Sequence, residues 1–431
     1  MTALCIRGGR VVDPASGFDG SADVRLRDGR VVEVGPALAA RADEEVLDAT
    51  GCVVAPGFID LQCHLGDADH DDAETLDTLG AAAAAGGFTT VCCLREGDPC
   101  VDDAAAVVAL RERAATEARV RVLPVGAITR GREGTELAEL GAMAEAGAVA
   151  FADGRAIRSA RVLRHALSYS RITGRPVVEH ACDPDLAQGG LAHEGVVATR
   201  LGLPGIPAAA EEIAVARAIA LARATGGRLH LGALSTAAAL EQVRAAQAAG
   251  VSVTAAVAAH HLLLDETAVA AGPSGWPYVT STKLLPPLRT AADRTALCAG
   301  VADGTLVVIS DHWPRRSIEK DCEYAYAAPG ASALESVLGV LLELVARREL
   351  PLDAALRALT AGPAAAFGLE AGRLAPGGPA DLVMFDPEPR WLVDPTRWRS
   401  RGRSTPLAGH WLRGRVLATV VAGKIVYREQ P

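Results

Sequence analysis

The sequence predicts an α/β fold in which a (β/α)8 barrel is joined to a small β-sandwich domain. Two observations support this prediction. In the middle of the chain, apolar strand-like runs alternate with alanine-rich helical runs, whereas both ends consist of short strands separated by Gly and Asp turns. Because two β-rich ends flank a different middle, we expect residues 56–365 to form the barrel. Residues 1–55 and 366–431 are expected to build one composite sandwich.

Eight strand runs can be counted along the middle of the chain, as a (β/α)8 barrel requires. In chain order they are GFIDLQCH, TTVCCL, RVLPVGAI, AVAFAD, PVVEHA, RLHLGAL, SVTAAVAAHH and TLVVISDH. The runs between them have helical composition, for example DDAETLDTLGAAAAAGG, PAAAEEIAVARAIALARATGG and TAAALEQVRAAQAAG. Four glycines stand just beyond the expected helix ends, where a glycine commonly ends a helix, namely Gly87, Gly147, Gly226 and Gly250.

The overall composition excludes several classes of function. Half of the 431 residues are hydrophobic, which is enough for a large core, and the formal net charge is −9. We therefore expect no nucleic-acid partner. The start of the sequence has no basic flank followed by an apolar segment, and the richest apolar helix, SVLGVLLELVARRE, is too short to span a bilayer. We expect a cytoplasmic protein without membrane contact.

Polar residues cluster at the ends of the predicted strands, where barrels of this kind carry their chemistry. They are His64, Asp153, His180, His260, His261, Asp311 and His312. Alternate strand residues share a face, so Gln62 and His64 point to the same side and Cys63 points away. A two-histidine metal clamp would need histidine at both positions, and the Gln62 amide is a weak ligand for zinc.

Four residues remain as candidate ligands of a remnant metal site: His64, Asp153, His180 and Asp311. Each one, taken singly, is better explained as a hydrogen-bonded polar group at a strand end. Taken together at four strand ends, they favour an inherited metal-site geometry. Asp311 could in addition accept a proton from a bound water, if the site is active. In RLHLGALST the corresponding position is Ala233, whereas His230 has the opposite parity and is expected to lie in the core.

Motifs throughout the chain resemble the type I dihydroorotases of the amidohydrolase superfamily. They are APGFIDLQCHL, GAVAFADG, VVEHACDPDLAQGGLAHEG, KLLPPLR, SDHWP and GRLAPGGPADLVMFDP. The resemblance implies a zinc-dependent barrel of the amidohydrolase type that closes N-carbamoyl-aspartate to dihydroorotate in pyrimidine biosynthesis. It also implies that His64, Asp153, His180 and Asp311 match metal-binding positions. Gln62 and Ala233 stand where the family has metal-binding histidines.

The positions that contact substrate in that family differ further. Gly66 and Glu96 stand where the resemblance implies an arginine and an asparagine, and Leu285 replaces another asparagine. Arg315 matches a histidine that reads the substrate carboxylate, so it is the one candidate substrate-binding residue. Losing a cation and gaining a carboxylate should repel a dicarboxylate substrate.

Losses concentrated at the barrel mouth resemble the noncatalytic dihydroorotase-like chains that accompany aspartate carbamoyltransferase in some bacteria. The stretches GLAHEGVVATRLGLPGIPAAAE and SRGRSTPLAGHWLRGRV look similar to that subgroup. The resemblance implies a structural role beside the transferase catalytic chains, with no cofactor. We also expect a homo-oligomer, most simply a dimer.

Two other interpretations stay open at this point. An active hydrolase of dihydroorotate or another cyclic amide or ureide could hold zinc at a single reduced site, because three protein ligands suffice for catalysis. A dihydroorotase with a rewired site would need replacement ligands from His260, His261 or His312.

Overall fold

The structure, a computed structural model, describes residues 3–39, 41–66, 74–95, 100–271 and 276–429. It confirms the predicted fold class. Eight parallel strands form a nearly closed barrel surrounded by helices, and strands from both termini form a separate sheet. Among the described residues, no helix combines the length and the apolar character needed to cross a membrane.

The strands are β1 (Ala3–Asp13), β2 (Phe18–Arg27), β3 (Arg30–Gly35), β4 (Glu45–Asp48), β5 (Val53–Pro56), β6 (Phe58–Leu65), β7 (Phe88–Arg95), β8 (Arg121–Gly126), β9 (Ala150–Ala152), β10 (Val177–His180), β11 (Ala192–His193), β12 (Gly205–Ile206), β13 (Leu229–Gly232), β14 (Val253–Ala258), β15 (Leu306–Ile309), β16 (Leu382–Leu392), β17 (Trp411–Val421) and β18 (Lys424–Arg428).

The α-helices are α1 (Leu76–Ala85), α2 (Ala104–Glu117), α3 (Leu140–Ala146), α4 (Ala160–Thr173), α5 (Val196–Leu201), α6 (Ala209–Thr225), α7 (Ala237–Ala248), α8 (Ala259–Leu263), α9 (Ala291–Ala302), α10 (Ser317–Lys320), α11 (Val337–Ala346), α12 (Leu352–Leu359) and α13 (Ala361–Phe367). Gly147 and Gly226 end α3 and α6 in the left-handed conformation, as predicted.

The barrel strands follow the order β15-β14-β13-β10-β9-β8-β7-β6. The gap between the first and last of them is bridged just past β15, where the amide of His64 donates a hydrogen bond of 2.8 Å to the carbonyl of His312. Apolar side chains such as Ile59, Val178 and Ile309 fill the interior. Each of the eight predicted strand runs contains one of these strands, so the barrel follows directly from the periodicity of the sequence.

The second sheet joins both ends of the chain in the order β18-β17-β16-β5-β1-β2-β3, with β4 also paired to β1. Strand β16 is antiparallel to β5, and β5 is parallel to β1, so the C-terminal strands continue the N-terminal sheet. Buried residues from both ends, including Leu4, Val24, Leu382 and Val420, share one core.

One predicted strand ends earlier than expected. The run SVTAAVAAHH forms β14 only as far as Ala258, and His260 and His261 lie in the short helix α8. The neighbouring strand β15 pairs with β14 up to the contact of Ala258 with Ile309 and then ends. Beyond that contact the backbone has no strand to pair with, and a helical turn satisfies its polar groups internally.

Candidate functional site

The end of β6 and the segment after β15 bring Gln62 against Asp311. The Gln62 amide nitrogen Nε2 donates a hydrogen bond of 2.8 Å to Oδ1 of Asp311. Gly232, at the end of β13, makes room for this amide, because a Cβ at that glycine would lie 2.5 Å from Oε1 of Gln62. The residue that replaces a metal-binding histidine is therefore engaged with a carboxylate of the same site.

His64 is buried beside this pair and stacks on an indole ring that follows the last barrel strand. The ring centroids of His64 and Trp313 are 4.7 Å apart, with an interplanar angle of 18°. The Arg315 guanidinium lies 4.0 Å from the centroid of the Trp313 ring. Nε of Arg315 donates to the carbonyl of Pro329 at 2.7 Å. This stack fixes the orientation of the His64 imidazole. The guanidinium of Arg315, the predicted substrate-binding residue, contacts Trp313 and Pro329 within the protein.

His180 ends β10 and lines the same small cavity as Gln62 and His64. Its ring nitrogen Nε2 is buried and has no hydrogen-bond partner among residues that the structure describes. Burial, and secondarily the nearby His64, lowers the pKa of His180 to about 4. The imidazole is therefore neutral near pH 7, which is the form that can bind a metal ion.

Asp153 is positioned differently from the other three candidate ligands. Its Oδ1 accepts hydrogen bonds from the amides of Ile128 and Thr129 at 2.8 and 3.1 Å, and its Oδ2 accepts one from the Thr129 hydroxyl at 2.6 Å. Burial raises the pKa of Asp153, and these hydrogen bonds oppose that shift. The carboxylate anchors the loop after β8. Of the four candidate ligands only His64 and His180 line the cavity, and Asp311 reaches it through its hydrogen bond with Gln62.

The cavity itself is small and mostly apolar. Its polar lining comes from Gln62, His64 and His180, and its apolar lining includes Leu61, Cys92, Leu94, Val125, Ala152 and Val178. Its volume of about 20 Å³ holds about one water molecule, whereas small-molecule sites usually occupy several hundred Å³.

Whether this cavity could hold a metal ion depends on the donor atoms around it. Within the described ranges, no group of three or more His, Cys, Asp or Glu side chains is arranged to hold a metal ion. Asp311 accepts the Gln62 amide and Asp153 accepts three other hydrogen bonds. The described residues therefore do not fit the multi-histidine metal centre that the resemblance implies.

Three of the remaining altered positions lie in the described part of the chain. Ala233 is buried just past β13 with a φ of +34°. Gly66 follows β6, and Leu285 packs on the apolar cluster that contains Cys182 and Ile206. Glu96 lies outside the described residues. At the described positions, small or apolar side chains stand where the resemblance implies charged or hydrogen-bonding groups.

Of the three histidines that a rewired site would need, His261 and His312 have hydrogen-bonding contacts elsewhere, and both ring nitrogens of His260 are buried without a hydrogen-bond partner among the described residues. Nε2 of His261 lies 3.1 Å from the carbonyl of Pro286, and His260 is buried beside it in α8. His312 contacts the Glu74 carboxylate through Nε2 at 3.1 Å and accepts a hydrogen bond from the amide of Ala333 at Nδ1. None of the three lines the cavity of Gln62 and His64. The predicted core position of His230 is confirmed, since its Nδ1 lies 2.8 Å from the Thr254 hydroxyl.

Comparisons with known proteins identify the family. A protein-family model described as dihydro-orotase-like matches residues 51–239. The chain is 46% identical over 428 residues to a protein named dihydroorotase from Anaeromyxobacter sp. (strain K), covering 99% of this chain and 98% of that protein. The chain belongs to the dihydroorotase-like family. A protein of the same name from Syntrophotalea carbinolica is 44% identical over 427 residues and is covered to 99%, as is this chain.

Solved structures support the fold of this family member. The L-hydantoinase of Arthrobacter aurescens superposes with a TM-score of 0.88 at 23% identity, over 100% of this chain and 97% of that one. At this identity the similarity shows the architecture, a barrel with a terminal β-domain, and no more.

Two of the family motifs support the barrel from within. Arg289 of KLLPPLR is buried and donates to the carbonyl of Ile206 at 2.7 Å and to the Ser235 hydroxyl at 3.1 Å. One of its guanidinium nitrogens lies 3.0 Å from Nδ1 of His193 in GLAHEG. Both motifs are recognisable in the sequence, but neither predicts this network, and the only sequence signal for the stack on His64 is the place of Trp313 in SDHWP. In this structure the residues of both motifs hold loops together.

Lys320, the last residue of α10, is expected to make the free energy of unfolding depend on pH in the alkaline range. Burial, followed by the charges of Arg315 and Lys283, lowers the pKa of Lys320 from 10.5 to about 7. The unfolded chain therefore binds more protons between these pH values, and stability should rise with pH across that window. Lys320→Met should therefore reduce the slope of the unfolding free energy against pH by up to about 1.4 kcal/mol per pH unit. Urea unfolding between pH 7 and 10.5 measures this slope. Equal slopes in Lys320→Met and in the exposed control Lys424→Met would contradict the assignment of the pH dependence to Lys320.

Proposed function

We propose that this chain is a noncatalytic member of the dihydroorotase-like family. Its proposed role is that of a structural partner of aspartate carbamoyltransferase catalytic chains in pyrimidine biosynthesis. The observation that carries the proposal is the hydrogen bond between the Gln62 amide and Asp311. The Gln62 side chain donates a hydrogen bond to the carboxylate that a hydrolytic metal site would use. Function is argued from this site, because the fold alone does not determine it.

Three further features of the barrel mouth support the loss of hydrolytic activity. The cavity at Gln62 and His64 has a volume of about 20 Å³ and is mostly apolar. Trp313 covers the His64 ring. Asp153, the fourth candidate ligand, is held by backbone amides and a hydroxyl group. A dicarboxylate substrate would meet neither space nor an arranged cation in this cavity.

The proposal is tested with the purified full-length chain in two measurements. We expect no dihydroorotate formation from N-carbamoyl-aspartate above the rate of an enzyme-free blank, with or without added zinc. We also expect a larger mass by light scattering when the chain is mixed with the catalytic chains of aspartate carbamoyltransferase from the same organism. Robust turnover, or the absence of a joint complex, would each contradict one half of the proposal.

One observation favours a second candidate, a hydrolase of cyclic amides with a single zinc ion. Nε2 of His180 is buried without a partner among the described residues and faces the cavity that His64 also lines. Elemental analysis of the chain purified without chelators discriminates the candidates. About one zinc per chain, lost on His180→Gln substitution, would favour the hydrolase, whereas a zinc content near zero would favour the structural role.

A further inference from the structure

The ends of β16 and β17, together with the segment between them, carry an uneven share of positive charge. Between residues 390 and 415 the sequence has seven arginines and a single carboxylate, Asp394, although the whole chain has a net charge of −9. The remainder of the chain is therefore more acidic than the total. Charge concentrated in this way produces a local positive potential that attracts acidic partners.

Three of these arginines form no ion pair with a described residue. Arg390, Arg397 and Arg399 are exposed, and no described carboxylate lies within 4.0 Å of their guanidinium nitrogens. Arg413 and Arg415, in the same segment, do pair with carboxylates at 3.3 and 3.4 Å. Three guanidinium groups of the segment are thus exposed without a close ion pair in the described part of the chain.

Apolar side chains lie between the unpaired arginines. Leu392 and Trp411 are Cα partners across β16 and β17 and are 47% and 54% exposed. The Arg390 guanidinium lies 5.8 Å from the centroid of the Trp411 ring. We call Arg390, Leu392, Arg397, Arg399 and Trp411 the arginine surface. Exposed tryptophan beside arginine is the composition that protein interfaces favour.

A cavity opens within the arginine surface. Its volume is about 170 Å³, and its aromatic walls come from the indole rings of Trp391 and Trp398. Its charged lining consists of three arginines and three carboxylates, namely Arg397, Arg399, Arg415, Glu335, Asp394 and Glu429. A recess with aromatic walls can take up a side chain from a docked partner.

The backbone beneath the unpaired arginines is held by two carboxylates, those of the partly buried Glu335 and the buried Glu74. Oε1 of Glu335 accepts hydrogen bonds from the amides of Arg399 and Ser400 at 2.7 and 3.2 Å. The Ser400 hydroxyl donates to Glu74, the same carboxylate that contacts His312 at the barrel mouth. Because this segment is already ordered, docking on it costs less conformational entropy.

A second copy of the chain fits the arginine surface poorly. In a two-fold symmetric dimer the same patch lies on both sides of the interface, so the unpaired arginines would face each other. An acidic surface on a different protein is complementary instead. We infer that the arginine surface docks an acidic segment of the aspartate carbamoyltransferase catalytic chain, an inference that rests on the proposed function.

The experiment compares two charge-reversal variants of the full chain. Arg390→Glu, Arg397→Glu and Arg399→Glu are combined in one variant. The matched control combines Arg161→Glu, Arg164→Glu and Arg223→Glu, three exposed arginines on α4 and α6. Both change the net charge equally. Affinity for purified transferase catalytic chains is measured by calorimetry at about 0.15 M salt, and circular dichroism melting verifies that both variants are folded.

We expect the arginine-surface variant to bind about a hundredfold more weakly and the control to stay within about threefold of the native chain. If the native chain binds and both variants bind equally well, the arginine surface is not the docking site, although the proposed function stands. If the native chain does not bind, the proposed function fails and this inference with it. Light scattering of the chain alone completes the test. If the native chain and the control form a homo-oligomer and the arginine-surface variant does not, the surface binds a second copy of the chain and the inference is wrong.

Discussion

Placing histidine at both Gln62 and Ala233 is expected to turn this chain into a zinc-binding protein with about one ion per chain. The resemblance implies that these two positions held metal-binding histidines, and the barrel that presents them is intact. Replacing Gln62 also removes the amide that donates to Asp311 at 2.8 Å, which releases the carboxylate as a ligand. His64 and His180 already line the adjoining cavity. Ala233 has a φ of +34°, a region that histidine tolerates better than most residues.

The measurement is the zinc content of the purified double variant after dialysis against buffer without chelator. The matched control is Gln62→Asn with Ala233→Ser, which alters the same two positions without adding an imidazole. If only the histidine variant retains zinc, the barrel still has the geometry of a metal site and lacks only the two histidine ligands. A folded histidine variant with no more zinc than the control would show that the mouth has changed shape as well. We expect no dihydroorotase turnover in either variant, because Gly66 and Leu285 remain.

Replacing Glu211 by alanine is expected to lower the free energy of unfolding by about 3 to 5 kcal/mol. The Glu211 carboxylate is buried and accepts hydrogen bonds from the amides of Ser235 and Thr236, between 2.9 and 3.1 Å, and from both of their hydroxyls. Its charge also compensates that of the buried Arg289. Truncation leaves the buried donors of Ser235 and Thr236 without this acceptor and removes a negative charge that compensates the buried Arg289, which costs more than the lost hydrogen bonds themselves.

The neighbouring Glu212 provides the matched control for this prediction. It lies on the same first turn of α6 and is only partly buried. Glu212→Ala should change the free energy of unfolding by no more than about 0.5 kcal/mol. Urea unfolding followed by circular dichroism compares the two variants with the native chain. A loss of similar size in both would show that the Glu211 network contributes little beyond helix composition.

Periodicity alone was sufficient to predict the barrel. Successive strand residues face opposite sides, so a run such as GFIDLQCH specifies which residues line the interior before any partner strand is known. Gln62 and His64 do line one cavity, whereas Cys63 belongs to the core outside the barrel interior. The end of β14 could not be predicted in this way, because it depends on where β15 stops.

The sequence by itself thus determined the fold class and the composite terminal sheet. Through the resemblance it also predicted that Gln62 and Ala233 stand where the family has metal-binding histidines. Only the tertiary structure decided what each polar side chain does. Asp153 turns to the loop after β8, and Gln62 meets a carboxylate 249 residues away. The physical reason is that strand alternation is a local property of the backbone. The satisfaction of a buried polar group, by contrast, depends on which distant segments supply its hydrogen-bond partners.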